Sequence, residues 1–169
     1  MPFRLALRFR PGTSTKPRDI HMQLTPAAVL LLAAVLVPAQ GAHAQADGCT
    51  MTAQDLTLGR YDPLSNLPQD AVSSISVRCA VATPFVITLG PGNGTYAGRT
   101  MIGGNQALLY NLFLDPTRTT VWGDGSNGSS SFSQDTTGGV FPVYARAPGG
   151  QIRLKPGTYV DIVTVTITY

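Results

Sequence analysis

An antiparallel β-sandwich is the fold class this sequence predicts, and three observations predict it. Across residues 45–169, apolar and polar residues alternate in short runs of period two, the pattern of strands with one buried face. Gly, Pro, Asn and Asp break those runs at short intervals, giving about seven strands with a turn signal between each pair. No helical period persists for more than a turn or two, and neither an internal repeat nor a second domain is visible.

The first 44 residues are a different kind of sequence. Arg4, Arg8, Arg10, Lys16 and Arg18 precede the apolar run "AAVLLLAAVLV" (Ala27–Val37), and small residues stand at Ala42 and Ala44. This order predicts a secretory signal peptide over 1–44, cleaved after Ala44, with the mature domain over 45–169. A membrane anchor needs about 20 apolar residues, more than this run supplies. Met22 is an alternative start. Five of the twelve basic residues and one of the nine acidic ones lie in 1–44, which leaves seven against eight. The formal charge of +3 therefore belongs to targeting, and no basic stripe remains for nucleic acid.

Each predicted strand has its own warrant. "CTMTAQDLTLG" (Cys49–Gly59) opens the domain and ends at the turn "RYDPLSNLPQD". In "SSISVRCAV" (Ser73–Val81), Ile75, Val77, Cys79 and Val81 share a face opposite Ser74, Ser76 and Arg78, which turns Cys79 inward. "PFVITLG" (Pro84–Gly90) is stopped by "PGNGTYAG". "ALLYNLFLD" (Ala107–Asp115) is nearly all apolar, which predicts burial on both faces. A short strand at "TVWGDG" leads into "SNGSSSFSQDTTGG", read as a flexible loop. "GVFPVYARA" (Gly139–Ala147) contains Pro142, which implies an edge or a bulge. The final strand puts Tyr159, Asp161, Val163, Val165, Ile167 and Tyr169 on one face and Val160, Ile162, Thr164, Thr166 and Thr168 on the other.

Composition argues against catalysis. Both histidines, His21 and His43, fall in the leader, glutamate is absent, and Lys155 is the one lysine after residue 44. A Ser–His–Asp or Cys–His device and a histidine-bearing metal site are excluded from the mature chain, and no cofactor is called for. "DGSNGSSS" (Asp124–Ser131) lacks the acidic spacing and closing Glu of a calcium loop. "GPGNG" (Gly90–Gly94) precedes no helix that could bind phosphate, so it reads as a turn. Asp161, on the inward face, needs a buried partner, and an arginine is the expected one. Trp122 and Tyr110 read as core aromatics. Cys49 and Cys79, in a chain bound for an oxidising compartment, are expected to form a disulfide.

Taken together, "CTMTAQDLTLGRYDPLS", "ISVRC", "PFVITLGPG", "RTM", "LLYNLFLD", "VWGDG", "FPVYARAPGGQ" and "PGTYVDIVTVTITY" resemble the spore coat protein U domain, which is also the subunit domain of archaic chaperone–usher pili. The likeness spans Cys49–Tyr169. Its more specific elements are G-x-Y-D-P after the first strand, the Y-x-L-(Y/F)-x-D and W-G-x-G pair, and G-x-Y-x-D before the closing Val/Thr alternation. Cys49 and Cys79 look like that family's cysteine pair.

The resemblance implies an immunoglobulin-like sandwich that lacks its final strand and accepts one from another protein by β-augmentation. The implied partners are a periplasmic chaperone, an outer-membrane usher and other pilus subunits, with neither nucleic acid nor membrane insertion involved. The implied location is the periplasm in transit, then a fimbrium or the cell surface, with roles in adhesion or biofilm formation. Val163, Val165 and Ile167 would line the donor-strand groove, with Leu56 and Leu58 as its opposite wall. After cleavage only "QADG" (Gln45–Gly48) would precede Cys49, a reach of at most about 14 Å with no large apolar side chain. That predicts a subunit that accepts a strand without donating one, and hence a terminal place in a fibre. A solitary secreted coat or matrix protein that closes its own groove is the alternative. A carbohydrate-binding sandwich is a third reading, for which the sequence announces no concave site.

Overall fold

Alternating β-branched and aromatic residues fold as strands throughout the computed structural model, which describes residues 48–169 and, as backbone, residues 4–11. In chain order the strands are β1 (Arg4–Pro11), β2 (Cys49–Ala53), β3 (Leu56–Gly59), β4 (Gln69–Leu89), β5 (Arg99–Gly103), β6 (Gln106–Phe113), β7 (Phe132–Ala147) and β8 (Thr158–Thr168). They are hydrogen-bonded in the order β2-β4-β7-β6-β5-β8-β1-β3, and β4 also pairs with β8, which gives the sandwich a barrel-like closure. Every pairing is antiparallel except that of β1 with β8.

The long β4 makes that closure possible. Its first half pairs with β2, from Cys79 opposite Cys49 to Ile75 opposite Ala53, and its last residues pair with β8, from Leu89 opposite Val165 to Val86 opposite Thr168. One strand thus serves two layers. The register against β7 slips between Arg78 and Thr83, and this irregularity lets the strand bend. Gly138 makes the slip possible on the β7 side. Its φ is +121°, and a Cβ there would stand 2.1 Å from the carbonyl oxygen of Val77.

Several expectations change in detail. Cys49–Gly59 is two strands, broken at Gln54 and Asp55, while the two predicted strands at 73–81 and 84–90 merge into β4. Val81 is exposed and Cys79 is half-buried. β6 alternates strictly, with Leu108, Tyr110 and Leu112 buried and Leu109 exposed, so it is covered on one face only. Half of the predicted flexible loop is strand, since β7 starts at Phe132. Pro142 lies opposite Ser74 of β4, and the β6 ladder begins only at Tyr144, so the proline sits where β7 has one neighbour. That is the local edge its sequence position called for.

The core fills the space between the layers with Leu56, Ile75, Ile87, Leu112, Trp122 and Val163, each at most 1% exposed. Trp122 donates its indole Nε1–H to the carbonyl of Ile87 at 3.2 Å. Cys49 and Cys79 form a disulfide that ties the short edge strand β2 to β4.

On the surface, Arg146 donates to both carboxylate oxygens of Asp70, each at 2.8 Å, and Arg118 approaches at 3.4 Å. The Arg146 hydrogen bonds, with the Arg118 charge behind them, hold the Asp70 carboxyl below its usual pKa. A carboxyl depressed in the fold stabilises above its unfolded pKa and loses that contribution as pH falls through its folded value. Asp70→Asn is therefore expected to cost under about 1 kcal/mol at pH 7 and almost nothing near pH 2. Urea unfolding at both pH values checks this; an equal loss at both would mean that packing, not charge, holds the residue.

Candidate functional site

β8 is built to carry a ladder on both edges. Along it Tyr159, Asp161, Val163, Val165 and Ile167 are buried, while Ile162, Thr164 and Thr168 face solvent. One edge pairs with β5 through Val160 opposite Ile102, and further along with β4. The other edge meets β1, which runs parallel to β8 for eight residues, from Arg4 opposite Thr158 to Pro11 opposite Val165. Beyond β1 lies β3, antiparallel to it, with Leu7 opposite Leu56, Ala6 opposite Thr57 and Leu5 opposite Gly59.

Among residues 48–169 no strand stands between β3 and β8, the place where the resemblance implies a missing one. The place beside β8 is nevertheless filled. Its occupant is Arg4–Pro11, drawn from the segment that reads as a leader; the rest of that leader, residues 12–44, lies outside the described residues together with residues 1–3. Without β1, the facing edges of β3 and β8 would present unpaired N–H and C=O groups above an apolar interior.

The residues expected to wall this position are all buried: Leu56 and Leu58 on β3, and Val163, Val165 and Ile167 on β8. Across β1, Leu56 lines up through Leu7 with Asp161, and Leu58 falls at the register shift between Ala6 and Leu5; Val163 and Val165 stand opposite Phe9 and Pro11, beyond the stretch of β1 that pairs with β3. Ile167 lies past the end of β1, opposite Ile87 of β4, and so marks the floor where the position ends.

A buried polar network sets the line of β8 at this point. The Asp161 carboxylate, 1% exposed, accepts four hydrogen bonds. Three reach Oδ1, from Asn93 N (3.1 Å), Asn93 Nδ2 (2.8 Å) and Ile162 N (2.8 Å), and the fourth comes to Oδ2 from the Tyr110 hydroxyl (2.6 Å). Burial, with the Asp161 charge behind it, pushes the Tyr110 hydroxyl far above its ordinary pKa, so it stays a donor. The arginine expected as partner is present but does not touch the carboxylate; among the described residues, ion pairs form only on Asp70. Arg99, fully buried, instead donates to the carbonyls of Gly90 and Trp122 and to Asn111 Oδ1 at 2.6–3.0 Å, and feels Asp161 as a neighbouring charge.

Gly92 shows how closely the loop is fitted. Its φ is +61°, and a Cβ would lie 2.1 Å from Asp161 Oδ2. The "GPGNG" turn is thus the piece that delivers Asn93 to β8 and the Gly90 carbonyl to Arg99. Every buried side-chain nitrogen and oxygen among the described residues has a hydrogen-bond partner. A saturated network of this kind positions backbone; it holds no spare donor or acceptor for a ligand.

Sequence reasoning singled out Asp161 and Tyr110 but missed Arg99 and Asn93 as their supports. The signal for Arg99 was slight: an arginine two residues before Met101 on an alternating run places it on the inward face. The remaining motif residues also pin loops. Tyr61, of G-x-Y-D-P, is buried and donates its hydroxyl to the Pro148 carbonyl at 2.6 Å. Asp115, closing Y-x-L-F-x-D, accepts from the backbone N–H groups of Thr119 and Thr120. Asp124 of W-G-x-G takes Ser126 N and Oγ, which uses its carboxylate within the turn.

Comparison with known proteins agrees with this architecture. The family model for the Spore Coat Protein U domain matches residues 33–166. Protein U of Myxococcus xanthus is 34% identical over 128 residues, covering 68% of this chain and 71% of that protein. Among solved structures, a chain of the CsuC–CsuE chaperone–tip adhesion subunit pre-assembly complex, from the archaic chaperone–usher Csu pili of Acinetobacter baumannii, is similar in fold. Its TM-score is 0.50 at 23% identity, covering 72% of this chain and 39% of that one.

Proposed function

Since the chain belongs to the Spore Coat Protein U domain family, we propose that it is a structural subunit of a cell-surface fimbria of the archaic chaperone–usher type. On this reading it is exported and passes through the periplasm on a chaperone. It then enters the fibre at an usher by accepting a β-strand between β3 and β8, and contributes to adhesion or biofilm. One observation carries the reading. Among the described residues, the edges of β3 and β8 are bridged only by Arg4–Pro11, a segment that cleavage after Ala44 would remove. The cleaved domain would then offer an eight-residue vacancy between two apolar walls, the geometry that β-augmentation requires. The short Gln45–Gly48 stretch favours a subunit that receives a strand without giving one, and so a terminal position.

The test uses protein secreted to the periplasm and cut after Ala44. Synthetic nine-residue strands, with valine or leucine at alternate positions and lysine or threonine between them, serve as probes. The expected result is a low-melting, self-associating protein whose Tm rises by about 10 °C when a fitting strand is present at a hundredfold excess over its Kd. A stable monomer with the same Tm in every peptide would remove the acceptor reading.

The same bridging strand favours a second reading, a solitary coat or matrix protein that closes its own groove. It requires that Arg4–Pro11 stay on the mature protein, which N-terminal sequencing of the secreted form decides.

A further inference from the structure

The segment that occupies the acceptor position has a pattern that a leader does not need. A signal's n-region requires positive charge and has no use for strict alternation. Yet "RLALRFRP" alternates, and its register is in phase with the cleft. Leu5, Leu7 and Phe9 stand opposite Tyr159, Asp161 and Val163, the buried positions of β8. Ala6, Arg8 and Arg10 stand opposite Val160, Ile162 and Thr164, which are half-buried or exposed. A one-residue slip would set Leu5, Leu7 and Phe9 opposite the half-buried or exposed positions of β8 and the arginines opposite its buried ones. On the other side, Leu7 opposite Leu56 and Ala6 opposite Thr57 keep the same phase with β3. The two ladders therefore agree over Ala6 and Leu7; the β3 register shifts between Ala6 and Leu5, which stands opposite Gly59.

From this double agreement we infer that Arg4–Pro11 is a built-in placeholder: in the uncut chain it occupies the acceptor position in cis and keeps other strands out, and cleavage opens it. The inference rests on the acceptor reading above and names one occupant for the same position. Tethering makes a modest strand effective. The 36 residues 12–47 are enough, by contour length, to span the domain several times over, and a tether of that length presents the segment at an effective concentration of about a millimolar. A free strand of similar affinity at micromolar concentration is outcompeted. After cleavage the advantage disappears, and the segment leaves with the leader.

The experiment uses the full 169-residue chain, made in an oxidising cytoplasm so that it is not exported. Hydrogen exchange of the β3 and β8 amides is compared between this chain and the Leu7→Asp/Phe9→Asp variant. Slow exchange is expected in the parent, at least about tenfold faster exchange in the variant, and binding of the alternating nine-residue probes by the variant alone. Equal exchange in the two proteins overturns the inference, as does parent protein that begins at Met22. Should the variant not fold, the peptide of residues 4–11 is added in trans: recovery supports the placeholder, and failure to recover overturns it. The two proposals fail differently. Secreted protein stabilised by the alternating probes but not by the 4–11 peptide defeats the placeholder and leaves the acceptor reading standing. Indifference to both defeats the acceptor reading itself.

Discussion

Asp161→Ala is expected to lower the unfolding free energy by about 3–5 kcal/mol, the cost of removing one partner from a buried charged network. The substitution strands Asn93 N, Asn93 Nδ2 and the Tyr110 hydroxyl without an acceptor, and it leaves the buried Arg99 charge without its nearby counter-charge. It also frees the 90–98 turn from β8, since Asn93 is one of the loop's anchors there. Asp161→Asn keeps the size and one acceptor oxygen, and is expected to lose about half as much. Guanidinium unfolding followed by the fluorescence of Trp122, the one tryptophan in the chain and fully buried, reads both variants. A loss under about 1 kcal/mol for Asp161→Ala would show that water, rather than the protein, satisfies these donors.

The Cys79→Ser substitution is the second large effect. The bridge joins residues 30 apart in sequence, and the chain-entropy model assigns about 3–4 kcal/mol to a loop of that length. A local consequence adds to it. β2 is five residues long and, among the described residues, pairs with β4 alone, so the bridge helps to keep this edge strand from fraying. The expected outcome is a sharp fall in periplasmic yield, together with a lower guanidinium midpoint in the material recovered. Dithiothreitol should reproduce the shift in the parent and leave a Cys49→Ser/Cys79→Ser protein unmoved. Normal accumulation and an unchanged midpoint for Cys79→Ser would remove the bridge from any account of stability.

Both effects act, from outside it, on the position between β3 and β8. The Asp161 network fixes the line of β8, one wall of the cleft. The disulfide fixes β2, and the chain passes from β2 into β3, the other wall, across only Gln54 and Asp55. On the proposed acceptor reading, both walls need to be held in advance, because an edge that must order itself during binding weakens its hold on an added strand.

The errors of sequence reading have a common cause. "ALLYNLFLD" looks buried on both faces because its composition is apolar throughout, yet Leu109 faces solvent at 48% exposure. "DTTGG" looks like a loop because paired glycines usually mean one. Here Gly138 serves a close approach to Val77 inside a ladder. Pro84 looks like a strand start, yet β4 passes through it without a break, opposite Asp135 of β7. In each case a partner far along the chain, which the local pattern does not contain, decided the outcome.

The sequence by itself determined the inward face of the final strand, which cysteines can meet, and that residues 45–169 hold no histidine or glutamate for acid–base chemistry. These properties are local, or follow from composition, and period two expresses them directly. Tertiary structure alone decided that β4 runs unbroken between two layers, that Asn93 and Tyr110 rather than an arginine hold Asp161, and that Arg4–Pro11 lies parallel to β8. Ladder partners and buried hydrogen bonds join residues dozens of positions apart, and their choice depends on which edges and donors remain unsatisfied once the chain has folded.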